Sequence, residues 1–325
     1  MLRFFDLLVK NHKRIGTRKL NLAEMALGDQ AMHVICKIIK NNTKFAELDI
    51  SKNCFTNVGL KQLARVLQSH NKTLVHLSLG GNNIQTEGAV CLFRSLNGHE
   101  SLTSLDLANN DCYKNKVKIG AKGAEELSTM LKHPMCLISN LDLTDNALTS
   151  EALSHVIQGV RACKTLVSLN LAQNDLGQSN SAFQSLLKIF QDESCQLQEL
   201  NLSENQLMDK HMEDLAAAFK LEHHKLSLSI LNLAGNQKCK PFAIATLLCS
   251  LANNSSVPIN RLVLNNNDME VSKKTNSAAY YQLTKSIIAM LSCSKYLTHL
   301  SLANCRIGKE VMLAVGEGLF KNFKL

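Results

Sequence analysis

Three stretches of the chain carry residue types that could do chemistry. Glu222, His223 and His224 offer a carboxylate and two imidazoles to a metal ion. Cys112 stands in the lysine-rich run DCYKNKVK (111–118), where neighbouring cations could lower a thiol pKa. The run GAKGAEEL (120–127) has glycines of the kind that cradle a phosphate. Each also has a plainer reading. The histidines follow a helical pattern in a solvated turn, Cys112 has no general base near it in sequence, and Gly123 is one of several glycines that recur where helices begin. The patterns G-x-x-x-x-G-K-[ST], H-E-x-x-H and G-x-S-x-G do not occur. The expectation is a chain with no catalytic residue, no metal site and no cofactor.

Composition narrows the class further. The 325 residues carry 36 Lys and Arg against 27 Asp and Glu, a net charge of +9, and 45% are hydrophobic, an ordinary globular balance. The 11 cysteines form no C-x-x-C pair, and several sit in apolar runs (Cys36 in VICKII, Cys91 in AVCLF, Cys249 in TLLCSL). Such thiols read as small core residues of a protein in a reducing compartment. The opening MLRFFDLLVK is broken by Arg3 and Asp6 with no small-residue cleavage site after it, so no signal peptide is expected. The apolar stretch IATLLCSLA is too short to span a bilayer. The basic residues are spread out, with no aromatic stacking set between them, and nucleic acid is not the expected partner. A cytoplasmic location is expected.

The elements that would position a site emerge from an internal repeat. FAELDISKN (45–53) recurs as LVHLSLGGN, LTSLDLANN, LISNLDLTDN, LVSLNLAQN, LQELNLSEN, LSILNLAGN and INRLVLNNN, with weaker copies at RKLNLAEM (18–25) and LTHLSLANC (297–305). The first leucine of each L-x-L falls at 20, 48, 77, 105, 141, 169, 200, 231, 262 and 300. The pair alternates with period 2, as a short strand with one buried face requires. Downstream the period becomes helical: Leu60, Leu63, Ala64, Leu67; Ala89, Leu92, Phe93, Leu96; Leu153, Val156, Ile157, Val160; Phe183, Leu186, Leu187, Phe190; Met212, Leu215, Ala216, Phe219; Ile244, Leu247, Leu248, Leu251. One strand and one helix cannot bury their faces alone, but stacked copies bury them jointly. The asparagine after each strand (53, 82, 110, 146, 174, 205, 236, 267) is expected to satisfy backbone groups where the chain turns.

These motifs resemble the leucine-rich repeat family. The period, the full helix after L-x-L-x-x-N and the glycines Gly59, Gly88 and Gly123 look like its ribonuclease-inhibitor subtype. The resemblance implies an α/β fold: a curved leucine-rich repeat solenoid, or horseshoe, of about ten repeats, with parallel strands on the concave face and helices on the convex face. A single domain over 1–325 is expected, with a capping helix and turn at 1–17, repeats at 18–308 and a closing helix at 309–325. That last helix is read as built on Met312, Val315, Gly316 and Leu319. Members of the subtype are mostly scaffolds that bind proteins. Two narrower readings come with the resemblance: a GTPase-activating protein similar to the activator of the Ran GTPase, and a bacterial effector that sequesters a protein in the host cytosol.

The geometry of such a sheet assigns a binding surface. Residues between and beside the paired leucines point onto the concave face. Glu47, Asp49, Asp106, Asp142, Asp145, Glu199 and Glu204 dominate it over Lys52 and Arg261, with His76 among them. A curved acidic face within a basic chain would attract a protein partner with a basic patch. Two insertions break the period and could add contacts from one rim: 111–118, with Lys114, Lys116 and Lys118, and 268–281, with Tyr280 and Tyr281. The protein is expected to act as a monomer without catalysis.

Overall fold

The computed structural model describes residues 18–41, 44–110, 119–192, 194–220, 226–254, 256–272, 274 and 276–322. The expected capping helix over 1–17, the lysines 114, 116 and 118, Cys112 and the pair His223 and His224 lie outside them. The chain forms two compact units that divide between Leu169 and Asn170.

In the first unit strand alternates with helix: β1 (Lys19–Asn21), α1 (Gly28–Asn41), β2 (Glu47–Asp49), α2 (Asn57–Ser69), β3 (His76–Ser78), α3 (Thr86–Leu96), β4 (Ser104–Asp106), α4 (Gly120–Lys132), β5 (Asn140–Asp142) and α5 (Ser150–Ala162). Strands β1 to β5 pair in parallel, leucine opposite leucine, Leu20 to Leu48, Leu77, Leu105 and Leu141. Strand β6 (Ser168–Asn170) stands at the boundary. The second unit repeats the alternation with α6 (Asn180–Leu187), β7 (Glu199–Asn201), α7 (Asp209–Phe219), β8 (Ile230–Asn232), α8 (Pro241–Asn253), β9 (Arg261–Val263), α9 (Ser277–Cys293), β10 (His299–Ser301) and α10 (Lys309–Phe320). Strands β7 to β10 keep the same parallel register.

The inward leucines from Leu20 to Leu262 and the helical stripes predicted from spacing are buried, together with Phe45, Phe55 and Phe93 in the first unit and Phe183 and Phe219 in the second, while Leu300 of the last strand is half-buried. At roughly 1.5–3 kcal/mol for each large apolar side chain, this shared layer is what holds the repeats together. The stripe through Phe190 does not stay α-helical. After Leu187 the chain tightens into a 3-10 turn, Lys188–Gln191, while Phe190 keeps its place against Phe219 at a ring distance of 5.3 Å.

The closing helix corrects its sequence reading. Its buried residues are Val311, Ala314 and Gly318, whereas Met312 and Leu319 are exposed. Gly318 sets this rotation: a Cβ there would stand 2.9 Å from Leu291 Cβ and 3.2 Å from Ile288 Cα, so the helix turns its smallest residue toward α9.

Two of the recurring glycines, Gly59 and Gly88, are explained by capping between consecutive repeats, while Gly123 makes room for Ile119 and Ala89. Asp29 on α1 accepts the Thr56 and Gly59 N–H groups at the start of α2 (2.8 and 3.0 Å), and Asn57 on α2 accepts those of Gln85 and Gly88 at the start of α3 (3.0 and 3.1 Å). A Cβ at Gly59 or Gly88 would meet the capping oxygen at 2.5 Å. Helices α1 and α2 thus each satisfy orphan N–H groups at the start of the next helix, and glycine leaves room for the group that does it.

A second recurring device joins helix ends to strands. Asn71 donates to the Ile39 carbonyl (3.1 Å) and accepts from the N–H of Thr73 and Leu74. One repeat on, His99 makes the same connections: Nε2 lies 2.9 Å from the Asn71 carbonyl and Nδ1 accepts from the N–H of Ser101 and Leu102. Nδ1 is therefore the acceptor and Nε2 carries the proton. Burial pushes the His99 pKa below the usual histidine value.

Candidate protein-binding face

Two rows of polar residues run across the strands, and they do different work. The first is the asparagine that ends each strand. Asn82 Oδ1 accepts the N–H groups of Asn53 (3.0 Å) and Phe55 (3.1 Å) from the preceding repeat, and its Nδ2 donates to Ile50 (3.1 Å) and Leu79 (2.8 Å). Asn53 does the same for Met25, Leu27 and Leu22, Asn205 for Asn174, Leu176 and Leu171, and Asn236 for Asn205, Leu207 and Leu202. All eight asparagines are buried. In the last repeat Cys305 takes the position and its thiol donates to the Leu264 carbonyl at 3.0 Å, the donor half of the same role. These side chains join one repeat to the next and leave nothing for a partner.

The second row lies between the paired leucines. In the first unit it reads Asn21, Asp49, Ser78, Asp106 and Asp142, in direct register across β1 to β5. In the second, β7 to β10 bring Asn201, Asn232, Val263 and Ser301 into register. Most members of this row close a small turn. Asn21, Asp49, Asp106, Asp142, Asn170, Asn201 and Asn232 each accept, through Oδ1, the N–H two residues on. This Asx turn explains why the residue after the second leucine is small, and it holds the chain as it leaves the strand. Asparagine and aspartate perform it equally well, since only one carbonyl-type oxygen is required. The turn itself therefore does not require the negative charge at 49, 106 and 142, although the second oxygen of Asp106 has a further partner in the Ser78 hydroxyl.

The charge is concentrated in the first unit. Asp106 faces Asp142 across neighbouring strands, whose backbones lie about 5 Å apart in such a sheet. Ser78 donates its hydroxyl to Asp106 Oδ2 at 2.6 Å, and Gly80 leaves the carboxylate room, since a Cβ there would stand 3.1 Å from both of its oxygens. Burial raises the Asp106 pKa against the pull of the Ser78 hydroxyl and the Ala108 N–H, and the charges of Asp142 and Asp49 raise it further. Glu47, two residues before Asp49 in β2, pairs with Lys19 at 3.6 Å, and His76 stands next to it on β3, exposed.

The remaining expected residues are placed elsewhere. Asp145 and Glu204 lie past the strands, at the left-handed residue just before the buried asparagine, and Lys52 holds the same place in the second repeat, bridged to Glu24. Glu204 accepts a hydrogen bond from the Gln173 amide at 2.7 Å, and its side chain lies where a Cβ at Gly235 would be. Glu199 is exposed on β7 beside Ile230 of β8, and Arg261 follows on β9. Tyr280 and Tyr281 belong to the first turns of α9, which Asn276 caps. Their rings meet edge to face at 5.3 Å, with Tyr281 exposed. Much of the second insertion is helix, since α9 runs 17 residues where α2 runs 13. Sequence reasoning missed the Asx turn, whose signal was the small residue that follows each second leucine, and it grouped Asp145 and Glu204 with a row that they lie beyond.

Among the described residues no three His, Cys, Asp or Glu side chains gather as metal ligands, and no helix is long and apolar enough to cross a membrane. Repeated strand and helix, a leucine register and an asparagine ladder define a leucine-rich repeat protein. Leucine-rich repeat models match residues 41–64, 70–93 and 293–315, and a related one matches 196–217. Over 89% of its length the chain is 28% identical to the mouse NACHT, LRR and PYD domains-containing protein 14, and over 93% it is 26% identical to mouse protein 5 of that series. It spans 28% and 24% of those two proteins. Among solved structures, the leucine-rich repeat-containing protein LegL7 from Legionella pneumophila shares the fold with a TM-score of 0.53 at 19% identity, covering 96% of this chain and 94% of that one.

Proposed function

We propose that the chain is a non-catalytic binding module that takes up a protein partner bearing a basic patch, and that the strand face of its first unit is where that patch docks. One observation carries the reading: aspartate stands at 49, 106 and 142, where the same turn is made by asparagine at 21, 170, 201 and 232. The net charge of the whole chain is +9, so a cationic partner is repelled everywhere except at such a local acidic row. Grouping three carboxylates raises their mutual repulsion, which an incoming lysine or arginine relieves.

The partner is read as a protein because the row is shallow, long and polar, which suits an extended contact more than a small molecule. The ten described cysteines are all free thiols, which supports a reducing, cytoplasmic setting. No observation singles out a GTPase or a host protein as the partner. The test is affinity capture from lysate at low and moderate salt with the wild type and with the triple variant Asp49→Asn, Asp106→Asn, Asp142→Asn. Proteins retained by the wild type at low salt and lost from the variant support the reading. An unchanged set of captured proteins removes the strand face from consideration.

A further inference from the structure

Away from the acidic row, the turn between α4 and β5 and the end of α5 bring two cysteines of consecutive repeats together. Cys136 Sγ and Cys163 Sγ are 4.0 Å apart. Cys163 caps the C-terminus of α5 and is nearly enclosed, while Cys136 beside it is half-buried, in an irregular turn reachable from solvent. The Thr165 hydroxyl ties the two segments together: it lies 3.4 Å from Cys163 Sγ and donates to the carbonyls of Ile138 (2.8 Å) and Cys136 (3.3 Å). The Cys163 thiol itself reaches the Ile138 carbonyl at 3.8 Å. Neither sulfur belongs to the leucine layer or the asparagine ladder.

We propose that Cys136 and Cys163 are a redox-active dithiol, which a hydroperoxide converts to a disulfide stapling the fourth repeat to the fifth. The contacts of the two sulfurs favour Cys163 as the first nucleophile, and the solvent-facing turn at Cys136 gives the peroxide its approach. The Cys136 thiol beside it, with the N–H groups of Thr165 and Leu166, holds the Cys163 thiol below the usual range against the effect of its burial, while the same contact raises that of Cys136. The Cys163 thiolate attacks the outer oxygen of ROOH. The O–O bond breaks, ROH leaves with one proton, and Cys163 becomes a sulfenic acid. Cys136 then attacks the Cys163 sulfur, the S–O bond breaks, and the Cys136 proton leaves with the hydroxide as water. Two thiols and one hydroperoxide thus give one disulfide, one alcohol and one water. The sulfurs must approach by about 2 Å to reach bonding distance, which rotation of the two side chains supplies. By contrast, burial pushes the Cys36 and Cys239 thiols up to about 12, which keeps them protonated and slow.

The experiment exposes the reduced full chain to hydrogen peroxide, quenches in acid, alkylates in denaturant and maps peptides by mass spectrometry. The exposed Cys54 and Cys293 report unassisted reactivity. The expected result is a peptide linking Cys136 to Cys163 that forms before either of those thiols is half consumed and disappears on reduction with dithiothreitol. In the Cys136→Ser variant, which lacks the resolving thiol, peroxide is expected to leave a sulfenic acid on Cys163 that dimedone captures. Consumption of Cys54 and Cys293 while Cys136 and Cys163 remain alkylatable overturns the proposal, as does the absence of dimedone label on Cys163 in the variant.

Discussion

At the scale of single residues, polar side chains here serve the backbone first. Asn82 alone satisfies the N–H groups of Asn53 and Phe55 and the carbonyls of Ile50 and Leu79. Replacing it by alanine leaves several buried groups without partners, and Asn82→Ala is expected to lower stability by about 3–5 kcal/mol in urea unfolding. His99 offers a pH-dependent counterpart. Its folded pKa is depressed by burial, as is that of His211, whose Nδ1 accepts the Met208 N–H. The unfolded chain therefore binds more protons below about 6.5, and stability complete above that pH is lost as the pH falls toward the depressed values. Asn71 makes the same connections one repeat earlier without titrating. His99→Asn should keep the fold and flatten the decline of melting temperature between pH 7 and the folded-state pKa, leaving the part due to His211.

At the scale of elements, the inter-repeat cap explains a glycine that hydropathy does not. In Gly59→Ala the new methyl group collides with the Asp29 oxygen that caps α2, and displacing that carboxylate is expected to cost about 1–2 kcal/mol in thermal unfolding. Asp29→Ala already lacks the cap, so adding Gly59→Ala to it should cost much less than in the wild type. Strands and helices were legible in advance because L-x-L and the i, i+3, i+4 stripe report burial, which dominates the energy of each element. The rotation of α10 was not legible. Val311, Ala314 and Gly318 make a face of small residues that fits closely against α9, whereas hydropathy favoured Met312 and Leu319. The continuation of α6 as a 3-10 turn was equally hidden, because both helix types satisfy the same spacing over so few residues. On the strand face, register places Asp49, Asp106 and Asp142 in one row, while Tyr280 and Tyr281 fall within a helix because Asn276 caps α9 inside the stretch 268–281 that the sequence alone reads as a loop.

At the scale of the whole molecule, charge is distributed against the average. A chain of net charge +9 places three aspartates on the strand face of its first unit, while the corresponding row of the second unit is Asn, Asn, Val and Ser. Because the turn needs an oxygen and not a charge, asparagine keeps it at all three positions, with the Ser78 hydroxyl turning to accept from the new amide at 106. Since the pKa of Asp106 is already raised, affinity for a cation should begin to fall with acidification above the ordinary aspartate value of 3.8. The most direct test is a calorimetric titration of an oligolysine peptide into the wild type and into Asp49→Asn, Asp106→Asn, Asp142→Asn at low salt. The account predicts that the wild type binds despite its positive net charge, that affinity falls about tenfold or more in the variant, equivalent to roughly 1.4 kcal/mol, and that the variant's melting temperature is unchanged. Equal affinity in a correctly folded variant would contradict it.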